Sequence, residues 1–196
     1  MLVVTHSPQV AALGAHHWRV AKAVEDDVTL SRVTPLDAGD RVDEIARMIS
    51  GDVITEEARA AAARGEVPVG AVLVGPDGAV VARAGNRTRE LSDPSAHAEM
   101  LVIREAYAAT GSERLPDHDL YVTLEPCPMC AAAISAARIR RLYYGAADPK
   151  SGGVAQGARV FSHPQCHHRP EVYDGIAAEE AEALLRGFFR YKRSEG

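Results

Sequence analysis

The sequence predicts an α/β fold, with a mostly mixed or parallel sheet flanked by helices. Two observations lead there. From residue 52 onward, short apolar runs of strand length alternate with alanine-rich stretches of helical spacing. Glycine or proline stands at most of the junctions between them. Thr55 to Arg64 reads as a helix, with Thr55 as its N-cap and Gly65 as its stop. Val69 to Val74 is a continuous apolar run. Pro76-Asp77-Gly78 is a turn signal, and Ala79 to Ala84 a second strand, so the two strands predict a hairpin. Ala96 to Ala109 predicts a helix, entered through Asp93-Pro94-Ser95 and closed by Gly111. Leu120 to Leu124 is a strand, and Pro128 to Arg138 a second alanine-rich helix. Ile139 to Tyr144 is a strand ended by Gly145. Residues 146–170 are loop-like, and Ala177 to Lys192 is an amphipathic helix.

The chain divides near Gly51-Asp52 into residues 1–51 and 52–196. The first part holds the apolar run Leu2-Val3-Val4 and a strand end with a turn at Val33-Thr34-Pro35-Leu36. From Arg41 to Ser50, Val42, Ile45, Ala46 and Ile49 fall at helical spacing. So short a segment is too small to build a good core alone.

The 196 residues are 46% hydrophobic, 25% charged and 5% aromatic. This excludes a disordered tail, a collagen-like fibre and a low-complexity linker. No run approaches the roughly 20 apolar residues of a membrane span, so no membrane partner is expected. The first residues lack the basic and apolar regions of a signal peptide, which leads us to expect a cytoplasmic protein. The net charge of −5 argues against a dedicated nucleic-acid binder, though it permits a local basic patch. Three cysteines without an export signal make a disulfide framework improbable. Cys127 and Cys130 form C-x-x-C, which in a cytosolic protein means a metal site or a redox pair.

The chemistry concentrates in His97-Ala98-Glu99 and Pro126-Cys127-Pro128-Met129-Cys130, each at the start of a predicted helix. Cysteines three apart on a helical turn face the same side. A helix N-terminus and a metal ion both favour thiolate. With His97 as a third ligand, three protein groups leave one position open, the mark of a catalytic rather than a structural zinc. Glu99, two residues on, then stands as the proton carrier beside a zinc-bound water. A thioredoxin-like pair shares the strand–C-x-x-C–helix context. The H-x-E with P-C-x-x-C combination favours zinc, one ion per chain.

These two motifs are the known signature of zinc-dependent deaminases, and the sequence resembles the cytidine/deoxycytidylate deaminase superfamily. The likeness extends through Glu66-Val67-Pro68-Val69-Gly70-Ala71-Val72-Leu73-Val74, Gly85-Asn86-Arg87, Asp93 to Glu99, Leu120 to Cys127 and Gly145 to Lys150. Over residues 55–193 it is similar to the tRNA-editing branch, the bacterial tRNA-specific adenosine deaminases. The resemblance implies a three-layer α/β/α fold, a mixed sheet of about five strands, a homodimer, and conversion of adenosine to inosine at the wobble position of a tRNA anticodon stem-loop. It implies His97, Cys127 and Cys130 as zinc ligands and Glu99 as the catalytic acid. It also implies that Asn86 and the backbone amide of Ala98 contact the base, and that the loop of Asp148 and Lys150 approaches the RNA. Basic residues cluster at Arg138, Arg140 and Arg141, and again at Arg186, Arg190, Lys192 and Arg193. Phe188-Phe189 lie within the second cluster. Adjacent helical residues point about 100° apart, so one ring packs, and Phe189 beside Arg190 is the candidate to stack on an unpaired base. His167-His168-Arg169 stands where the family carries Asn-His-Arg. A second metal there, or a fourth zinc ligand from Cys166, is weighed and set aside.

Residues 3–61 are unlike the deaminases. Val3 to Ala11, His17 to Val20, Arg32 to Asp37 and Glu44 to Met48 resemble the C-terminal end of the bacterial DNA-repair ATPase RecN, where the position of His6 implies a phosphate sensor. No such ATPase can act here alone. A P-loop needs Gly-Lys, and none of Lys22, Lys150 and Lys192 follows glycine. Two other readings remain. One is a free nucleobase or nucleoside deaminase acting on guanine, cytosine or a related compound, which shares the zinc motif. The other is a non-catalytic, zinc-stabilised interaction module with a RecN-like tail, against which Glu99 argues.

Overall fold

The structure, a computed structural model, describes residues 2–4, 11, 14–25 and 28–194. His6, singled out in the sequence, lies outside the described residues. The chain forms two compact units, residues 1–49 and 50–196.

In the first unit, β1 (Trp18–Glu25) pairs antiparallel with β2 (Val28–Pro35), with Val20 opposite Val33. The sequence marks only the end of β2. The strands carry their β-branched residues among charges, and Trp18, Val20 and Val33 stay exposed, so no clean apolar alternation marks them.

Helix α1 runs unbroken over Ala38–Ala63. The sequence predicts two helices, the second starting at Thr55. Instead Gly51 and Thr55 both lie inside one helix, and Thr55 is buried rather than capping. A single interior glycine costs a helix only about 1 kcal/mol, which its neighbours outweigh. The expected stop holds: Gly65 has φ +78°, its N–H donates to Ala62 O, and Glu66 N donates to Ala61 O.

The second unit is built on a mixed five-stranded sheet in the order β4-β3-β5-β6-β7. Strand β3 (Gly70–Val74) pairs antiparallel with β4 (Val80–Gly85) and with β5 (Asp119–Leu124). Strand β5 runs parallel to β6 (Arg141–Ala146), and β6 parallel to β7 (Glu171–Tyr173). The remaining helices are α2 (Ala98–Thr110), α3 (Pro128–Ala137) and α4 (Ala178–Ser194). The three-layer α/β fold implied by the sequence is the one observed. Strand β3 is buried along its whole length, which is why its sequence is a continuous apolar run.

Strand alternation splits the core in two. Leu73, Leu120, Val122 and Leu142 point to one face and pack with Val102 and Ile103 of α2 and Ile134 of α3. Val72, Val74, Tyr121 and Tyr143 point to the other and pack with Ile54 of α1 and with Ile176. On that face the rings of Tyr121, Tyr143 and Tyr173 stack across three strands, with centroids 4.5 and 4.8 Å apart.

Gly145 corrects a second expectation, since it lies within β6 and does not end it. A Cβ there would come within 2.5 Å of Thr123 O and 2.7 Å of Ile176 O. The glycine answers to close packing, not to a turn. Strand β7, unmarked in the sequence, is three residues long and too short to show a period.

Candidate metal centre

Two helices begin beside one another at the site. His97 is the N-cap of α2 and Cys127 the N-cap of α3, both in extended backbone and neither closing its helix with a side-chain hydrogen bond. Their side chains are therefore free to point elsewhere, and they point at each other. Cys130 lies in the first turn of α3, on the side of Cys127, with Pro128 between them at the position where a missing N–H costs nothing. His97 Nδ1 is 3.6 Å from Cys127 Sγ and 3.5 Å from Cys130 Sγ. The three ligand atoms lie within 4.8 Å of one another. A tetrahedral ion with bonds of about 2.3 Å to sulfur and about 2.0–2.1 Å to nitrogen places nitrogen and sulfur about 3.6 Å apart. The side chains already stand at zinc spacing. Among the described residues they are the only such group of three or more His, Cys, Asp or Glu. His97, Cys127 and Cys130 are thus placed to hold a zinc ion. Cys127 and Cys130 are both free cysteines, and His97 Nδ1 beside both sulfurs completes a ligand set that a redox pair does not require.

The electrostatics favour an ion. Both helices direct the positive end of their dipoles at the cluster, which stabilises thiolate. The hydrogen bond from Cys130 and then the contact with His97 draw the Cys127 thiol down to about 4. Its bond to Cys127 holds the His97 imidazole above its ordinary range. Glu99, one residue into α2, is 4% exposed, and burial pushes its carboxyl up. It faces His97 and the Cys130 thiol. A buried carboxyl with a raised proton affinity beside a metal ion can take a proton and return it.

Asn86 is buried behind α2, and its Oδ1 accepts a 2.9 Å hydrogen bond from Ala98 N. The Ala98 amide, expected to meet the base, is thus engaged by Asn86. The Asn86 amide nitrogen has no hydrogen bond to any described residue and remains a donor for a ligand. The structure gathers His97, Glu99, Cys127, Cys130, Asn86 and Ala98 at the paired helix starts.

Asp148 and Lys150 lie on the loop after β6, where Asp148 Oδ1 accepts from Lys150 N and Ser151 N. Phe189 is 45% exposed near the end of α4, with Arg190 exposed beside it and the half-buried Phe188 ring edge-on to it. The Cys166 region is stitched to α3 rather than to a metal. Cys166 Sγ donates to His168 O at 3.0 Å, Arg138 donates to His167 O, and His168 Nε2 lies 2.6 Å from Ile139 O.

Two further residues shape the site, both inside segments that carry the resemblance but with no role read for them in the sequence. Glu66 and Glu125 are 1% and 2% exposed, and each organises a loop beside the site. Glu66 Oε1 accepts from Arg89 N and Glu90 N, and its Oε2 from the Thr88 hydroxyl. This shapes the turn that follows Asn86. Glu125 Oε1 accepts from Val154 N, Ala155 N and Gln156 N, and its Oε2 from Asp148 N. No spacing rule announces either residue, because all but one of their partners are backbone amides at distant positions.

Residues 50–146 match the family model described as the cytidine and deoxycytidylate deaminase zinc-binding region. The chain is 67% identical over 137 residues to the tRNA-specific adenosine deaminase of Agrobacterium fabrum, covering 70% of this chain and 90% of that protein. A solved structure of a tRNA:A34 deaminase, studied for A-to-I editing at the wobble position of transfer RNA, is 63% identical with a TM-score of 0.69. It covers 70% of this chain and 99% of that one. A guanine deaminase structure from Bacillus subtilis is 29% identical with a TM-score of 0.51, covering 74% of this chain and 92% of that one.

Proposed function

The chain belongs to the tRNA-specific adenosine deaminase family, and on that premise we propose that it converts adenosine to inosine at the wobble position of a tRNA anticodon stem-loop, as a cytoplasmic homodimer. The observation that carries the proposal is Glu99, buried against three ligand atoms at zinc spacing. When bound, zinc lowers the pKa of its water toward about 7, so that a nucleophile is available at neutral pH. The residues of the chain do the rest. His97, Cys127 and Cys130 would hold the ion. Glu99, buried beside the ligand atoms, would hold the proton given up by the nucleophilic water and pass it to the purine ring, and would deliver the second proton to the amine nitrogen, which would leave as ammonia as the ring carbon gains the oxygen. Asn86 donates from its amide nitrogen to the base. Asp148 and Lys150 lie against the stem-loop, and Phe189 with Arg190 offers a ring and a cation to an unpaired base.

The higher identity to adenosine deaminases than to the guanine deaminase supports tRNA over a free base. Among the described residues no helix is long and apolar enough to cross a membrane. Residues 1–51, with their RecN-like pattern, enter the reading as an appended segment with no part in deamination.

The test is inosine formation in an anticodon stem-loop RNA, run beside free adenosine, cytosine and guanine. Turnover is expected in the stem-loop alone, with binding that weakens steeply with salt. Replacing Arg190, Lys192 and Arg193 by alanine is expected to flatten the salt slope by about 0.7 for each phosphate no longer neutralised. Salt-independent turnover of guanine or cytosine, with an inert stem-loop, would overturn the proposal.

A further inference from the structure

Glu125 closes β5 and precedes the Pro126-Cys127 turn, so its backbone belongs to the metal site. Its side chain belongs to another part of the chain. The carboxylate takes four backbone N–H groups, one from Asp148 at 3.1 Å and three in succession from Val154, Ala155 and Gln156 at 3.1, 2.9 and 2.9 Å. Three successive amides turned onto one oxygen form a concave anion seat, and here the anion is the protein's own. The loop is bound to the same turn a second time. Gly153 N donates to Pro126 O at 2.8 Å. A Cβ on Gly153 would lie 2.5 Å from Pro128 N and 2.8 Å from the Cys127 carbonyl carbon. The loop therefore lies in direct contact with the residues that start α3. Within it, Asp148 Oδ1 holds the amides of Lys150 and Ser151.

We propose that Glu125 is a positioning residue that fixes the Asp148–Gln156 loop against the Cys127 turn, so that one buried side chain sets the reach of Asp148 and Lys150 toward the RNA relative to the metal. This rests on the reading of that loop as an RNA contact. The two carboxylate oxygens have separate tasks. Oε1 seats the loop's far end through three amides, and Oε2 holds Asp148 alone. A glutamine at this position keeps one acceptor. Its oxygen satisfies the three-amide seat, and its NH2 group then faces the Asp148 N–H, where two donors oppose each other.

Glu125→Gln is therefore expected to act on substrate grip rather than on turnover. KM for the anticodon stem-loop should rise about tenfold, the scale of one hydrogen bond to a charged acceptor, with kcat within about threefold and zinc still at one per chain. Hydrogen exchange at the Asp148 amide should quicken about tenfold, and less at Val154, Ala155 and Gln156. Asp148→Ala and Lys150→Ala, measured alongside, report on the loop itself. Unchanged KM and unchanged exchange in Glu125→Gln would overturn the positioning role. So would a loss of zinc or of kcat without a rise in KM, because Glu125 would then support the metal turn only. If exchange quickens while Glu125→Gln, Asp148→Ala and Lys150→Ala all leave KM unchanged, Glu125 holds the loop but the loop does not touch RNA, and the loop reading fails instead.

Discussion

Among the described residues of the second unit three glutamates are buried, at 1%, 4% and 2% exposure for Glu66, Glu99 and Glu125, yet they live in two different kinds of surroundings. Glu125 is met by four backbone amides, and Glu66 by two amides and a hydroxyl. Those donors are fixed in the chain and cannot be displaced by a reaction. Glu99 is met by its own amide, by His97 and by the Cys130 thiol, groups that themselves exchange protons or bind metal. Burial is equal, so it is the donors that decide the role. A carboxylate seated on fixed amides is scaffold. One that faces titratable ligands is chemistry, because its proton affinity is raised and its partners change state during a cycle.

The largest effect should come from removing the ion from the Glu99 side. Cys127→Ala is expected to lose zinc and, with it, activity and much of the stability, because zinc binding energy is also folding energy. Metal analysis and a thermal melt check this. Zinc retained at one per chain would show that Cys127 is not a ligand.

Next in size is the proton carrier. Glu99→Gln should keep zinc and lose at least about 100-fold in kcat, the scale of general acid–base catalysis. Its melting temperature should stay level or rise, since the neutral amide removes a buried group that burial penalises when charged. A variant that retained turnover would mean that another group moves the proton.

Smallest is the scaffold. Glu66→Ala removes the acceptor of the Arg89 and Glu90 amides and of the Thr88 hydroxyl, and should cost about 1–3 kcal/mol of stability with kcat within about threefold. That corresponds to a fall of roughly 3–9 °C in melting temperature for a domain of this size. A kinetic defect larger than the stability defect would break the comparison, because Glu66 would then share the role of Glu99.

The two classes also differ in how far they can be read in the chain. His97, Glu99, Cys127 and Cys130 declare themselves because zinc chemistry demands particular side chains, and a helix start sets H-x-E and C-x-x-C spacing locally. Glu66 and Glu125 do not. Apart from the Thr88 hydroxyl, their donors are main-chain groups 23 to 24 and 23 to 31 residues away, and any residue but proline supplies one. The same contrast runs through the fold. Gly65 and Gly111 mark helix ends because the backbone there is left-handed. Gly145 misleads because its constraint is a neighbouring strand and the Ile176 carbonyl. Thr55 misleads because an N-cap residue carries no instruction to start a helix that is already running.

The sequence by itself determined the alternation of strands and helices, the candidate zinc ligands and the candidate acid beside them, since each is a matter of residue type at short range. Only the tertiary structure decided that the starts of α2 and α3 meet, bringing His97 to within 3.6 Å of two sulfurs thirty or more residues away. It also decided that Asn86 engages the Ala98 amide and that Glu125 ties a distant loop to the metal turn. The reason is the same in each case. Backbone amides are alike at every position, and which of them a buried oxygen will meet is set by the packing of the sheet and not by the pattern of the chain.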